Sequence, residues 1–161
     1  MPPLIETVHS TLAHCATVPQ ALALVSLPGT TLASASAARR YVRTTARSWG
    51  LPPDTVGALE LISGEIAANA LKHSASRSIT VALSHTGLMA VVGVIDEGRG
   101  RATVAGAPSP DQEGGRGLLI VDALSTGWGQ RHVCGGLLVW AEVDTPDVTP
   151  CDDAARFRPL P

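Results

Sequence analysis

The sequence predicts an α+β fold, a two-layer sandwich with helices on one face of a mixed, mostly antiparallel sheet. Three observations lead to this class. The predicted elements follow the order strand, helix, helix, strand, strand, loop, helix, strand, strand. Two pairs of neighbouring strands are each joined by a short turn, which predicts hairpins. The repeated strand–helix–strand unit that a doubly wound parallel sheet requires does not occur in this order.

The first half of the chain supplies one strand and two helices. The short apolar run ALALVSL (21–27) stops at a Pro-Gly pair, which is typical of a strand followed by a turn. In residues 32–49 apolar side chains recur every three or four positions, which predicts a helix that Gly50 closes. Asp54 is the expected N-cap of the next helix, over residues 55–73.

The second half supplies two hairpins with one helix between them. Two apolar runs on either side of His-Thr-Gly predict the first hairpin, and two runs around Cys-Gly-Gly predict the second. GLLIVDAL between the hairpins has the pattern of a helix, and the segment before it is a loop rich in Gly, Pro and Ala. The predicted bounds are 79–83 and 88–95 for the first hairpin, 101–115 for the loop, 117–124 for the helix, and 126–131 and 137–143 for the second hairpin.

Length and composition indicate a single domain. A chain of 161 residues that is 45% hydrophobic is able to fill one core. The net charge of −2 gives no argument for nucleic acid or an anionic membrane as a partner. We expect residues 21–143 to form the domain, residues 1–20 an N-terminal extension and residues 144–161 a flexible C-terminal tail.

The cysteines and the first residues predict a cytoplasmic setting. Three cysteines, with no CxxC spacing among them, favour neither a disulfide scaffold nor a zinc site. The first residues lack the basic and apolar regions of a signal peptide. No segment approaches the ~20 apolar residues of a membrane span. We therefore expect a soluble protein in a reducing compartment.

The second predicted helix carries an unusual polar stripe. Within ISGEIAANALKHS (62–74), Glu65 and Asn69 lie one turn apart and Lys72 falls between them around the helix axis. An ordinary amphipathic helix would leave such a stripe in solvent. Asn is a poor helix former, however, so Asn69 in mid-helix calls for another reason. Two oxygen-bearing side chains at this spacing are able to hold a hard cation such as Mg²⁺ or to orient a water.

A carboxylate and two glycines follow the third predicted strand. In VVGVIDEGRG the strand ends at Asp96, and Gly98 and Gly100 come directly after it. Glycines leave the backbone bare, so a flat ligand is able to approach it closely. An ordinary surface turn explains Asp-Glu-Gly equally well. Both interpretations stay open on this segment alone.

Glycines also lead into the third predicted helix. In EGGRGLLIVDAL, Gly115 and Gly117 surround Arg116 where the helix starts. Free N–H groups at a helix N-terminus suit a phosphate group, and the arginine adds a positive charge. A flexible glycine hinge is the structural alternative. The segment is not a P-loop, because no Gly-Lys-Ser/Thr follows.

In combination, these motifs resemble those of one ATPase superfamily. A helix with E-x-x-x-N, a hairpin, D-x-G-x-G, a loop and G-x-G at a helix start occur in the nucleotide-binding domain shared by sensor histidine kinases, gyrase-type ATPases, Hsp90-like chaperones and MutL-like repair proteins. This domain has the Bergerat fold. Within the superfamily the chain most resembles the single-domain anti-sigma-factor serine/threonine kinases of bacteria. The segments that carry the resemblance are 64–74, 94–100, 114–124 and 128–143.

The resemblance implies a role for each matching residue. Asn69 would ligate a Mg²⁺ ion that bridges the ATP phosphates, and Glu65 would be the general base or water-orienting carboxylate. Asp96 would accept a hydrogen bond from the adenine amino group, while Gly98 and Gly100 would let adenine and ribose lie against the backbone. The phosphate side would be formed by Lys72, His73, Gly115, Arg116 and Gly117, under a lid of residues 101–114.

The implied function is that of an ATP-dependent protein serine/threonine kinase. Such a protein would bind a sigma factor, phosphorylate an anti-sigma-factor antagonist and so regulate transcription, and relatives of this kind often pair as homodimers. One alternative is a partner-switch protein that binds ATP without catalysis. Another is a plain α/β domain with coincidental glycines. The chain departs from the family pattern in two places. Arg101-Ala102 follows the glycines of D-x-G-x-G, and the last strand has no Thr. Both departures put catalytic turnover in question more than ATP binding.

Other conspicuous residues have simpler interpretations. Three tryptophans are expected to pack in the core: Trp49, Trp128 and Trp140. Four arginines of the first helix are expected to form a solvated face, with protein docking as the alternative: Arg39, Arg40, Arg43 and Arg47. Cys134 lies in a predicted turn without a neighbouring base, so no catalytic role is assigned to it.

Overall fold

A computed structural model describes residues 20–98, 115–133 and 135–146. These residues form five strands and three helices. In chain order they are β1 (Ala21–Pro28), α1 (Ala33–Ser48), α2 (Pro53–His73), β2 (Ser78–His85), β3 (Met89–Asp96), α3 (Gly115–Leu124), β4 (Gly127–Val133) and β5 (Gly136–Asp144). The order and the types of element are as predicted, and the α+β class is confirmed. The predicted lid, Gly100, Cys134 and nearly all of the two terminal segments lie outside the described residues.

The five described strands form one sheet in the order β1-β2-β3-β5-β4. All four strand pairings are antiparallel, so the described sheet is antiparallel throughout rather than mixed. β3 lies in the centre, between β2 of the first hairpin and β5 of the second. Its last residue, Asp96, is opposite Ile79 on one side and Leu137 on the other. The sheet therefore flanks Asp96 with a strand on both sides.

The main core lies between the sheet and the helices. Along β3, alternate residues such as Val92 and Val94 face the helices, whereas Val91 and Ile95 join a smaller apolar cluster on the opposite face. α2 packs against the sheet and against both other helices. Its buried apolar residues recur at helical spacing: Val56, Leu59, Ile62, Ile66, Ala67 and Ala70. None of the helices in the described stretches combines the length and apolarity that a membrane span requires.

The three tryptophans pack as predicted. Trp49 and Trp128 lie against the main core, and Trp140 lies against the smaller cluster. Trp128 also donates a hydrogen bond from its indole N–H to Asp122 at 3.0 Å. Their contribution is therefore structural, since each adds a large apolar area to one of the two clusters.

Two glycines end elements where the sequence predicted. Gly50 follows α1 with φ of +73°, and Gly87 lies in the β2–β3 turn with φ of +95°. Side chains strongly disfavour this left-handed region, so glycine is suited to both positions. The helix limits agree with the predicted ones to within about two residues, which is the usual uncertainty of helix ends.

The start of α2 corrects one prediction. The helix begins at Pro53 after the N-cap residue Pro52, and no side chain caps it. Proline suits the first helical position, because the N–H that it lacks would have had no partner there. Asp54 lies in the first turn, where its negative charge favours the positive end of the helix dipole. The predicted N-cap role of Asp54 is therefore wrong.

The arginines of α1 also differ from the prediction. Arg39, Arg40 and Arg47 are exposed, as expected of a solvated face. Arg43 instead reaches α2, where its Nη1 lies 3.1 Å from Oε1 of Glu60, and Arg39 reaches Glu65. Half of the predicted solvated face is thus engaged with carboxylates of the neighbouring helix.

The packing of α2 leads to a test of its burial. Leu59 is fully buried, whereas Leu61 on the same helix is 46% exposed. Leu59→Ala should lower the free energy of unfolding by about 2–5 kcal/mol, because it removes buried apolar area and leaves a cavity. The matched Leu61→Ala should change it by less than about 1 kcal/mol. Urea unfolding measures both, and similar losses in the two variants would contradict this packing of α2.

Candidate functional site

Glu65 lies where the three helices meet. Its Oε1 is 3.6 Å from Nη2 of Arg39 in α1. On the other side is Gly117 in the first turn of α3, where a Cβ atom would lie 2.8 Å from Oε2. The missing side chain of Gly117 therefore makes room for the carboxylate. The sequence predicted a link between these two motifs in function, and the structure brings Glu65 and Gly117 into contact.

Asn69 lies one turn after Glu65 on α2 and is partly buried. Its carboxamide makes no hydrogen bond to another described residue. An oxygen ligand of this kind fits Mg²⁺, which takes one or two protein oxygens and keeps its other positions for water and phosphate. No group of three or more His, Cys, Asp or Glu side chains in the described ranges forms a metal cage. The Asn69 carboxamide therefore offers one oxygen ligand, which fits a cation whose other ligands are waters or a bound anion.

Asp96 is a buried carboxylate with a fixed orientation. Only 7% of the residue is exposed, and its Oδ1 accepts a hydrogen bond from the Gly98 N–H at 2.7 Å. Burial raises the pKa of Asp96, and hydrogen bonds from the backbone N–H groups of Gly98 and Leu137 lower it in part. A carboxylate has about four acceptor positions, so two remain for a donor on a ligand.

Gly98 packs the segment after β3 against the end of α2. A Cβ atom at Gly98 would lie 2.7 Å from Oδ1 of Asp96 and 2.9 Å from Cβ of Ser74. Only glycine fits at this distance from both residues. The close approach at Gly98 is therefore to Asp96 and Ser74 of the protein itself, and the predicted approach of a flat ligand to this backbone stays a prediction.

A serine network that the sequence did not reveal holds the same junction. Ser74 donates to the Ala70 carbonyl at 2.7 Å, so its hydroxyl accepts from Ser76 at 2.8 Å. Ser76 in turn accepts the Glu97 N–H at 2.9 Å. The sequence predicted only that the helix ends at residue 73, with no role for Ser74 or Ser76. Their pairing with Glu97 follows from the tertiary contact between α2 and β3.

Glu97 adds two more hydrogen bonds to this junction. Its carboxylate accepts from the Arg77 N–H and from the Ser78 hydroxyl, both at 3.1 Å. The segment after β3 is thus joined to the start of β2 as well as to α2. Because these bonds fix Glu97 and the Gly98 N–H donates directly to Asp96, the Asp96 carboxylate is held in one orientation.

The remaining predicted site residues lie near the helix ends. Lys72 and His73 are exposed in the last turn of α2. Gly115 begins α3 and Arg116 follows it, with an exposed side chain. Gly100 lies outside the described residues. The structure therefore forms two contacts, Glu65 with Gly117 and Asp96 with Gly98. Gly98 packs on Ser74, and the distance along α2 from Glu65 to Ser74 is roughly 13 Å at 1.5 Å per residue.

A cavity beside Asp96 lies toward the face of the sheet opposite the helices. It has a volume of about 580 Å³, and its described lining includes Leu24, Thr80 and Ile95. It reaches Asp96 and Glu97, but neither Glu65 nor Asn69 is part of that lining. The predicted site residues of α2 therefore do not belong to this cavity.

Comparison with known proteins gives a family match. Residues 29–140 match the family model described as "Histidine kinase-like ATPase domain". This range covers more than half of the chain and includes Glu65, Asn69, Asp96, Gly98 and Gly117. No curated protein sequence is significantly similar to the chain.

Two solved structures align with most of the chain. The RsbU and RsbW domains of Rv1364c from Mycobacterium tuberculosis align over 80% of this chain with a TM-score of 0.59 and 20% identity. The chain spans only 34% of that structure's length. The histidine kinase domain of the blue-light activated histidine kinase from Erythrobacter litoralis aligns over 86% of this chain and 69% of its own, with a TM-score of 0.46 and 20% identity.

The first of these likenesses agrees with the α+β architecture found here, and the family match covers the helices and strands that carry the site. The chain belongs to the family of histidine kinase-like ATPase domains.

Proposed function

We propose that the protein binds Mg-ATP and acts as an anti-sigma-factor serine/threonine kinase, which phosphorylates an antagonist protein and so regulates a sigma factor. Membership of an ATPase family supports the nucleotide. The kinase reaction and the protein partners rest on the resemblance of the motifs to those of anti-sigma-factor kinases. The observation that carries the proposal is the pair of contacts along α2, with a buried acceptor at one end and a carboxylate beside a glycine-led helix at the other.

Asp96 is the proposed acceptor for the adenine amino group. Its buried position favours a ligand that supplies a hydrogen-bond donor, because a buried carboxylate without partners is costly. Gly98 leaves the adjacent backbone without a side chain, so a flat base is able to lie against it. Gly100 is proposed to do the same further along the segment. Adenine donates to such an acceptor from its 6-amino group, whereas guanine has a carbonyl at that position and donates from N1 and its 2-amino group; the choice of adenine is therefore supported by the ATPase family match.

The phosphates are proposed to lie between α2 and the start of α3. Asn69 would hold the Mg²⁺ ion, which supplies positive charge to the phosphate oxygens when it is bound. The N–H groups in the first turn of a helix favour an anion, and Gly115 and Gly117 at the start of α3 are proposed to meet the phosphates. Three cationic or titratable side chains would add charge on this side: Lys72, His73 and Arg116.

Glu65 is the proposed general base. A serine or threonine hydroxyl oxygen of the antagonist attacks the γ-phosphorus, and its proton moves to a carboxylate oxygen of Glu65. The bond from the γ-phosphorus to the bridging oxygen breaks, and ADP leaves with that electron pair. Glu65 is in contact with Gly117, so the carboxylate lies beside the helix start that would bind the phosphates.

The proposal also includes the cellular setting. A sigma factor and an antagonist protein are the proposed partners, and pairing of two copies of the chain is proposed from the same resemblance. A cytoplasmic location fits a regulator of transcription and a sequence in which the cysteines show no disulfide pattern.

The adenine assignment predicts the effect of Asp96→Asn on nucleotide binding. Replacing the charged acceptor by a neutral one should weaken Mg-ATP and Mg-ADP binding about tenfold or more, since hydrogen bonds to charged groups contribute about 1.5–3 kcal/mol. Mg-GTP binding should change little, so the preference for adenine shrinks. Titration calorimetry measures all three. Asp144→Asn, at the exposed end of β5, is the matched control and should bind like the wild type. Unchanged ATP affinity in Asp96→Asn would place the base elsewhere.

The raised pKa of Asp96 predicts how the same variant depends on pH. Because the folded state holds this proton more tightly, the associated stability is complete below the ordinary pKa of 3.8 and is lost as pH rises through the raised value. The carboxamide of the variant does not titrate. The free energy of unfolding of Asp96→Asn minus that of the wild type should therefore increase as pH rises from 3.8 upward and then level off. Urea unfolding at successive pH values measures this difference, and a flat or falling difference would contradict it.

The general-base assignment predicts the effect of Glu65→Gln. Transfer of labelled γ-phosphate from ATP to a purified antagonist protein should slow by about 10²–10⁴-fold, while ATP affinity stays within a few-fold of the wild type. Glu60→Gln, which alters the other carboxylate that pairs with α1, is the matched control and should transfer phosphate normally. Equal transfer rates in Glu65→Gln and the wild type would remove Glu65 from the reaction. ATP binding without any transfer by the wild type would support the non-catalytic alternative.

A further inference from the structure

Gly64 occupies an unexpected position in α2. It lies in the middle of the helix, is buried, and directly precedes Glu65. Glycine destabilises a helix interior relative to alanine, because the unfolded chain gains freedom and no side chain packs. A glycine in this position therefore indicates that a side chain would be in conflict with something nearby.

The three atoms nearest to a Cβ at Gly64 would all belong to the side chain of Arg39. A Cβ atom at Gly64 would overlap Nε of Arg39, and it would lie 2.8 Å from Cγ and 2.9 Å from Cδ. The arginine side chain thus lies across the backbone of α2 at this residue. From there its guanidinium reaches Oε1 of Glu65 at 3.6 Å. An alanine at residue 64 would force Arg39 to leave this path.

Fold stability does not explain the arrangement. The side chains of Arg39 and Glu65 are 44% and 25% exposed, and ion pairs with this much exposure stabilise a fold only slightly. The second ion pair between the same helices, Arg43 with Glu60, is shorter at 3.1 Å. The nearby Gly57 has open space at its Cβ position, so no glycine clears a path for that pair. The destabilising glycine, Gly64, therefore lies against the Arg39–Glu65 pair, which contains the proposed base.

We propose that Arg39 is a positioning residue for Glu65. By holding Oε1 it fixes the carboxylate plane and leaves Oε2 facing the first turn of α3, where the attacked phosphate would lie. Fixing the base in advance lowers the barrier, because less orientational freedom is lost in the transition state. Gly64 has the supporting role of clearing the path of the arginine. This inference rests on the proposed kinase function.

The experiment compares Gly64→Ala with Gly57→Ala, two changes in the same helix. Each removes a helix glycine, so each should leave the urea midpoint equal to or above that of the wild type. Gly57→Ala should keep wild-type kcat for phosphate transfer from Mg-ATP to the antagonist. Gly64→Ala should keep ATP affinity within about threefold, yet lose roughly 10- to 100-fold in kcat, as a displaced catalytic group does.

Arginine variants show whether the effect passes through Glu65. Arg39→Ala should lower kcat to a similar extent without raising the KM for the antagonist, and Arg39→Lys should recover part of the loss. Arg43→Ala should leave kcat unchanged. In a Glu65→Gln background, Arg39→Ala should cause no further loss, because the group that it positions is already gone.

The outcomes separate this inference from the function on which it rests. An active wild type with wild-type kcat in Gly64→Ala and Arg39→Ala would overturn the positioning role alone. A raised KM with unchanged kcat in Arg39→Ala would also overturn it, since the arginine would then bind the antagonist. Additive losses in the double variant would show that Arg39 acts independently of Glu65. A wild type that binds ATP but transfers no phosphate would overturn the proposed kinase function and the positioning role together.

Discussion

The burial of α2 is the constraint on which the other features depend. The helix packs against the sheet and against both other helices, so its apolar residues fill most of its circumference. Glu65 and Asn69 lie one turn apart on this helix and are only partly buried. The same packing brings the glycine of α3 to Glu65 and the end of β3 to the C-terminal end of α2. One buried helix thus sets the relative positions of both ends of the site.

The site combines features that reduce stability with bonds that hold them in place. Asp96 is a carboxylate in a buried position, where the ionised form is disfavoured, and Gly64 weakens a helix at its centre. Around Asp96, backbone N–H groups and the bonds of Ser76 and Glu97 fix the local geometry. Residues that break local rules for stability, while their neighbours hold them rigidly, are expected where a protein binds or reacts. This contrast is clearest at the two ends of α2.

Local patterns were enough to predict most of the fold. Apolar periodicity gave α1 and α2 to within about two residues, and Gly87 marked the turn of the first hairpin. The motifs predicted that Glu65 and Gly117, and Asp96 and Gly98, belong to one site, because these motifs follow one another in the same order in the ATPase superfamily that the sequence resembles. The position of β3 beside β5 was not predictable in this way, since neighbouring strands in a sheet are selected by tertiary packing. The N-cap at Asp54 was wrong because a proline pair set the helix start two residues earlier. The sequence predicted that Arg39 faces solvent, because helical periodicity describes one helix at a time. It does not show that Glu65 of the neighbouring helix lies within reach of the arginine.

A structure of the protein with Mg²⁺ and a non-hydrolysable ATP analogue tests the central claim most directly. We expect the adenine amino group within about 2.7–3.2 Å of an Asp96 carboxylate oxygen. We also expect the Mg²⁺ ion on the Asn69 carboxamide and the γ-phosphate between Glu65 and the first turn of α3. A nucleotide bound elsewhere, for example in the cavity beside Leu24 and Thr80 on the opposite face of the sheet, would contradict it.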